Sequence, residues 1–281
     1  MYDNTCKFLV ENFPTDFATW LLGKPIALTK LEPSELSVDP IRADSVILLE
    51  SSEVIVHLEF QTKTDDTMAY RMANYYLRLY GKYPTKEIHQ TVIYLRPTRS
   101  TLAYQTNFKT NKLNHEFNVI RLWEQPTETF QQYQGLLPLA VLTKTDNPTE
   151  TLRKVAKLID NIEDRKVKSN VAAATAIISG LALDNEVIQR LLRSEIMEES
   201  VVYQEILLEG LTKGEAKGIA KGLAKGLAKG KVEATNQIAL NMLRSNISVD
   251  SIAQFTGLTL KQVQKLQKPS TQKRQKPKAN L

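Results

Sequence analysis

Two apolar runs, divided only by a short polar step at Ser51-Ser52, constrain this chain more than any other feature. Ser45–Glu50 reads SVILLE and Val54–Thr62 reads VIVHLEFQT, both rich in β-branched and apolar residues. The step between them has room only for a tight hairpin. Alternation along the second run puts Val54, Val56, Leu58 and Phe60 on one face. Ile55, His57, Glu59 and Gln61 fall on the other, with Lys63 next in that series. Both runs are apolar enough to be largely buried, so a carboxylate at Glu59 is costly unless a cation or donor meets it.

Asp44 stands at the mouth of the first strand, directly before SVILLE. The hairpin allows it to converge with Glu59 at neighbouring strand positions. Two converging carboxylates completed by water suit Mg²⁺ (or Mn²⁺), a hard cation that dehydrates reluctantly. Such a metal could polarise a phosphodiester oxygen and acidify an attacking water. Plainer readings stand beside this one. Asp44 could cap the strand or pair with Arg42, and Glu59 with Gln61 could be a satisfied polar pair. His57 reads more readily as a hydrogen-bonded sheet residue than as a ligand. Arg71 and Arg78 could clamp phosphates or form surface ion pairs.

The surrounding pattern is mixed. Thr5–Leu22 has helical spacing, with Phe8, Leu9, Phe13, Phe17, Trp20 and Leu21 recurring, and is interrupted at Pro14. A poorly defined strand falls near Ile26–Leu31. Helical period returns from Thr67 to Tyr83, where Met68, Met72, Tyr75, Tyr76 and Leu79 form a stripe. Ile88–Leu95 and Glu116–Leu122 read as strands, and Thr149–Leu211 reads as helical almost throughout. The order predicts an α/β core with a helical C-terminal region.

The tail differs in kind. From Lys213 onward there are 14 Lys/Arg against Glu215, Glu233 and Asp250, so this part carries +11 of a chain total of +6 and leaves −5 on the rest. Lys213–Lys231 repeats every four residues as KGEA, KGIA, KGLA, KGLA. On a helix this sets glycines, lysines and Ile219/Leu223/Leu227 in separate columns, each drifting by about 40° per repeat. Glycine costs about 1 kcal/mol per residue in a helix, so the spacing points to a helix formed against a partner such as a second copy, or else to a basic linker. Beyond it, Ser248 as N-cap, Gly257 as turn and Thr259/Gln262 as capping box give a helix-turn-helix pattern. Lys261, Gln262, Gln264 and Lys265 would then be its DNA-facing residues. Pro269–Leu281 is Lys/Gln/Pro-rich and reads as a disordered basic tail.

Several classes are excluded at this level. No run reaches the ~18 apolar residues of a membrane span, and MYDNTCKFLVENF lacks the pattern of a secretory signal. One cysteine, Cys6, cannot make an intrachain disulfide or a thiolate metal site. There is no Gly-rich phosphate loop, zinc spacing or G-x-S-x-G elbow. A cytoplasmic protein is expected.

Arg42-Ala43-Asp44, then Val56-His57-Leu58-Glu59-Phe60-Gln61, then a helix with Arg71 and Tyr75, resemble the Rpn family of recombination-promoting nucleases and transposase-like proteins. That family is a branch of the PD-(D/E)XK nuclease-like superfamily, whose core order is α-β-β-β-α-β. The resemblance covers roughly Thr5–Leu142, and the glycine-repeat tail agrees with it. It implies a Mg²⁺-dependent DNA endonuclease linked to recombination or transposition. Asp44 and Glu59 would be metal ligands, with the Phe60 carbonyl completing the inner shell. Gln61 stands where the superfamily usually has a lysine, and Lys63 could partly supply the missing charge. Glu11 and Arg71 are accessory candidates, although Glu11 reads more readily as a surface residue. The alternative is a catalytically inactive DNA-binding or oligomerising protein on the same fold. The expected organisation is a nuclease-like core over 1–145, a helical extension over 146–212, the repeat over 213–232, the helix-turn-helix segment over 233–268 and the tail over 269–281. Expected partners are DNA and a second copy, with no membrane.

Overall fold

Proline decides how the chain begins. In the computed structural model, which describes residues 2–31, 46–192, 197 and 199–267 (side chains of 202, 205, 206 and 209 excepted), helix α1 runs Tyr2–Asn12 and α2 runs Pro14–Leu22. Pro14 occupies the first turn of α2, where its missing N–H costs nothing. Gly23 ends α2 at φ 72°, donating its N–H to the Thr19 carbonyl. Arg42, Asp44 and Ser45 lie outside the described residues, as does the tail from 268 onward.

Five strands form a mixed sheet in the order β1-β2-β3-β4-β7. These are Thr29–Lys30 (β1), Val46–Glu50 (β2), Val54–Gln61 (β3), Glu87–Tyr94 (β4) and Asn118–Arg121 (β7). The expected hairpin is β2–β3, antiparallel, with Val46 opposite Glu59 and Glu50 opposite Ile55. Ser51 closes it by accepting the Val54 N–H on its hydroxyl at 3.1 Å. β3, β4 and β7 run parallel. The crossover from β3 to β4 is helix α3, Met68–Lys82.

Side-chain alternation sorts the sheet into two faces. Val54, Val56, Leu58 and Phe60 pack with Leu9 and Val10 of α1, Phe17 of α2, and helices α5 (Pro148–Asp160) and α6 (Arg165–Ser179). The helical segment after residue 145 therefore contributes Leu152, Val155, Ile159, Val171 and Ile178 to the same core as the strands. On the opposite face Ile55, Val46 and Leu48 meet Tyr75 and Leu79 of α3. Met68 and Met72 meet Val92, Tyr94 and Phe117 there.

One expected strand is divided. Glu116–Leu122 splits at Phe117 into β6, Asn114–Glu116, and β7. β6 pairs with β5, Asn107–Lys109, a strand not foreseen, in a separate two-stranded ribbon. Phe117 is where the chain leaves the ribbon for the main sheet. Its N–H donates to Thr106 and its ring is buried with Met68 and Met72. Hydrophobic alternation runs straight through such a transfer, so the pattern alone cannot reveal it.

The N-terminal unit also contains two short helices, α4 (Thr127–Phe130) and α7 (Asn185–Leu191). Helix α8, Val201–Arg244, contains the whole glycine repeat, and the division between two compact units falls within it at Leu208/Glu209. A methyl added at Gly214, Gly218, Gly222, Gly226 or Gly230 would touch nothing within 4 Å, and Ile219, Leu223 and Leu227 are exposed. In the C-terminal unit the end of α8 packs with α9, Val249–Thr256, and α10, Leu260–Gln267, through fully buried Ala239, Ile252 and Val263. The expected caps are present. Ser248 accepts the Ser251 N–H, Gly257 turns at φ 72°, and Gln262 accepts the Thr259 N–H at 2.8 Å. None of the described helices is long and apolar enough to cross a membrane.

Gly135 is a close-approach glycine. Its N–H donates to Asp16 at 2.8 Å, and an added Cβ would lie 2.3 Å from Phe13 Cβ. Gly135→Ala should therefore destabilise the N-terminal unit by about 1–3 kcal/mol in denaturant unfolding, as overpacking does. Gly218→Ala, with free space around it, should leave that transition unchanged.

Candidate functional site

The parallel register of β3 and β4 assembles a polar group inside an apolar layer. His57 is the register partner of Gln90, and Glu59 is the partner of Val92. On this face α3 lies against the sheet and adds Arg71 and Tyr75. Glu59 and His57 have no exposed surface at all.

The buried carboxylate is met by a cation from α3. Arg71 Nη2 donates to Glu59 Oε1 at 2.7 Å, while Arg71 Nη1 lies 3.4 Å from Asp65 Oδ2. Asp65 is held in turn by the N–H and hydroxyl of Thr67, at 2.8 and 2.7 Å. Those two Thr67 bonds, with Arg71 behind them, hold the Asp65 carboxyl below its ordinary pKa. Burial by itself would lower the Arg71 pKa, but Glu59, Tyr75 and Asp65 reverse this and leave it raised. Burial, then the charge of Glu59, pushes the Tyr75 phenol up, so it stays neutral, its oxygen accepting from Arg71. Among the described residues, the other oxygen, Glu59 Oε2, has only a marginal contact from Gln61 Nε2 at 3.5 Å.

A second chain of contacts runs from His57 to the ribbon. Gln90 Nε2 lies 2.8 Å from His57 Nδ1 and donates to the Met72 carbonyl at 2.9 Å. Gln90 Oε1 lies 2.7 Å from His115 Nε2 on β6. Burial, then the neighbouring His57, lowers the His115 pKa. His57 Nε2 lies 3.8 Å from Glu59 Oε1 and has no hydrogen-bond partner among the described residues. A cavity of about 550 Å³ opens beside this chain, lined by Tyr76, His89, Gln90, Asn107, Glu116 and Asn118, rather than over Glu59.

The expected site residues are therefore brought together in part. Glu59, Gln61 and Arg71 converge, and Phe60 follows Glu59 with its ring on the opposite face. Asp44 lies outside the described residues. Val46, two positions after it, sits opposite Glu59 in the hairpin. β3 ends at Gln61, one residue short of the expected Thr62, so Lys63 falls in a bend and is exposed rather than continuing the strand face. Glu11 is not brought to Glu59. It belongs to α1, on the other side of the sheet, and is paired with Lys30 at 3.3 Å. Arg78, one of the two possible phosphate clamps, donates to Asn74 at 3.1 Å and has a buried Nη1 without a hydrogen-bond partner among the described residues. Lys261, Gln262, Gln264 and Lys265 are all exposed on α10, although the Gln262 carbonyl is occupied in the capping box.

Sequence reasoning missed Gln90, His115 and Asp65. The available signal was Gln90, an amide within the apolar run IHQTVIYL. No group of three or more His, Cys, Asp or Glu among the described residues could hold a metal ion. Comparison with protein-family models, with curated proteins and with solved structures finds no match to this chain.

Arg71 is the counter-charge that makes Glu59 tolerable in this layer. Arg71→Met should destabilise the protein by about 3 kcal/mol, the low end for an orphaned buried charge, because a quarter of the Arg71 side chain remains exposed. Adding Glu59→Gln to Arg71→Met should recover most of that loss, measured as a double-mutant cycle in denaturant unfolding.

Proposed function

We propose that the N-terminal unit is a PD-(D/E)XK-type nuclease core and that the protein is a Mg²⁺-dependent DNA endonuclease acting in recombination or transposition-like processing. The observation that carries this reading is Glu59, a carboxylate fully buried in mid-strand whose Oε1 is fixed by Arg71 while Oε2, among the described residues, has only the 3.5 Å Gln61 contact. The donor chemistry fits a Mg²⁺ site built on one or two carboxylates with water. Glu59 supplies one carboxylate, and Asp44, just ahead of the strand opposite Glu59, would supply the second, with the Phe60 carbonyl beside them. A bound Mg²⁺ would polarise a phosphodiester oxygen and lower the pKa of a water. The chain's own residues do the rest: Arg71 holds the orientation of Glu59, Gln61 offers an amide to orient the water, and Lys63 brings a positive charge to the strand end. The helix order α1, α2, the hairpin, α3 and β4 supports the same core.

One observation favours a second reading, an inactive DNA-binding protein on this fold. Arg71 already neutralises Glu59, and Gln61 carries no charge. The two readings part on one assay. The full chain should nick supercoiled plasmid with Mg²⁺, and Glu59→Gln should fall to background. Equal nicking by both, or none by the wild type, overturns the nuclease.

DNA binding belongs to both readings. It rests on the basic C-terminal unit, where Lys261 and Lys265 are exposed on α10. Lys261→Ala with Lys265→Ala should weaken binding across all DNA sequences and lower the salt slope by about 1–2, read by fluorescence anisotropy at several salt concentrations. A second copy is the proposed partner of α8, where Ile219, Leu223 and Leu227 lie exposed beside side-chain-free glycines. A cytoplasmic setting accords with a chain that has one cysteine, Cys6, and so no intrachain disulfide.

A further inference from the structure

His57, beside Glu59, has a ring nitrogen whose hydrogen bonding does not close among the described residues. The Met72 carbonyl can only accept, so the atom 2.9 Å from it must be the amide nitrogen of Gln90. That fixes the orientation of the whole amide. Its second N–H then points to His57 Nδ1 at 2.8 Å, which must accept. Gln90 Oε1 accepts from His115 Nε2 at 2.7 Å, so the ribbon holds the amide from the far side. A neutral His57 that accepts at Nδ1 carries its proton on Nε2. The Tyr75 ring, 5.0 Å from the imidazole centre and edge-on, walls the side chain in.

This Nε2–H donor is fully buried and unpartnered among the described residues, with Glu59 Oε1 3.8 Å away. A buried donor left unmet costs about 1–3 kcal/mol, a poor arrangement for a residue that serves only the fold. We propose that His57 is a positioning residue for Glu59: its Nε2–H, set by Gln90 and His115, closes on Oε1 beside Arg71 when a divalent cation takes Oε2. Two donors on one oxygen orient the carboxylate and leave the other oxygen for the metal, the role that hydrogen-bonding partners behind a ligand commonly play. The inference rests on the metal-dependent reading above and adds to it the chain His115–Gln90–His57.

The test uses the full chain. In the metal-free protein, nitrogen–proton correlation of the imidazoles should show His57 protonated at Nε2 and bare at Nδ1. A Mn²⁺ titration should then show wild-type binding and roughly ten- to hundredfold weaker binding by His57→Phe. His57→Gln, which keeps an acceptor and a donor, should recover most of the affinity. Gln90→Glu, which cannot donate to Met72 or His57, should lose a similar factor with Glu59 intact. Should His57→Phe fail to fold, Gln90→Glu and the tautomer signal decide the matter. An Nδ1-protonated His57 overturns the proposal. So does unchanged Mn²⁺ affinity in folded His57→Phe or Gln90→Glu when Glu59→Gln has lost binding, and in that case the metal reading stands. Wild-type binding that survives Glu59→Gln, or no wild-type binding, overturns both.

Discussion

A carboxylate without solvent, held by one guanidinium, is the constraint around which this sheet and α3 are arranged. Glu59 sits on a strand whose neighbours on both sides are apolar, and Arg71 reaches it from the helix that crosses over between β3 and β4. A charge in that position is tolerated only with a partner in direct contact. The partner comes from α3, which packs on this face with the β5–β6 ribbon beside it. The second anchor, Asp65, lies in the loop just before the helix and is pinned by Thr67. The Arg71 fork thus ties the strand to the segment preceding the helix, and the packing of Met68, Met72, Tyr75 and Leu79 fixes the depth at which it does so.

The same layer contains a second polar chain that never reaches full satisfaction. Met72, Gln90 and His115 determine one imidazole tautomer at His57, and the resulting donor faces Glu59 across a gap too long for a hydrogen bond. Three elements meet there: β3 brings His57, β4 brings Gln90 and the ribbon brings His115. The β5–β6 ribbon is therefore more than a surface excursion, since it carries the residue that fixes the Gln90 amide from outside. The C-terminal unit follows a different logic. Its three helices close on a core of Ala239, Ile252 and Val263, with ordinary caps at each turn. The glycine repeat of α8 carries exposed Ile219, Leu223 and Leu227 beside positions with no side chain.

Much of this was legible in advance. The β2–β3 hairpin, the faces of its second strand, the break at Pro14, the α3 stripe and the caps around Gly257 all rest on local chemistry, which neighbours a few residues away can express. Glu59 was visible for the same reason, as a charge in a run too apolar to be exposed. Gln90 and His115 were not, because their roles exist only once parallel pairing sets residue 57 beside residue 90 and the ribbon sets 115 beside both. Lys63 shows the reverse: alternation continues its face past Gln61, where the strand stops. Glu11 takes the plainer of its two readings, paired with Lys30.

What the sequence determined by itself was periodicity and punctuation: where helices and strands form, which face of each is apolar, and where proline, glycine and capping residues stop them. These depend on steric and hydrogen-bonding preferences that act over a turn or a strand pair. What only the tertiary structure decided was which polar atoms share the buried layer. Strand register, the crossover by α3 and the transfer at Phe117 are long-range choices. They alone bring Arg71 and the Nε2 of His57 toward the same oxygen of Glu59.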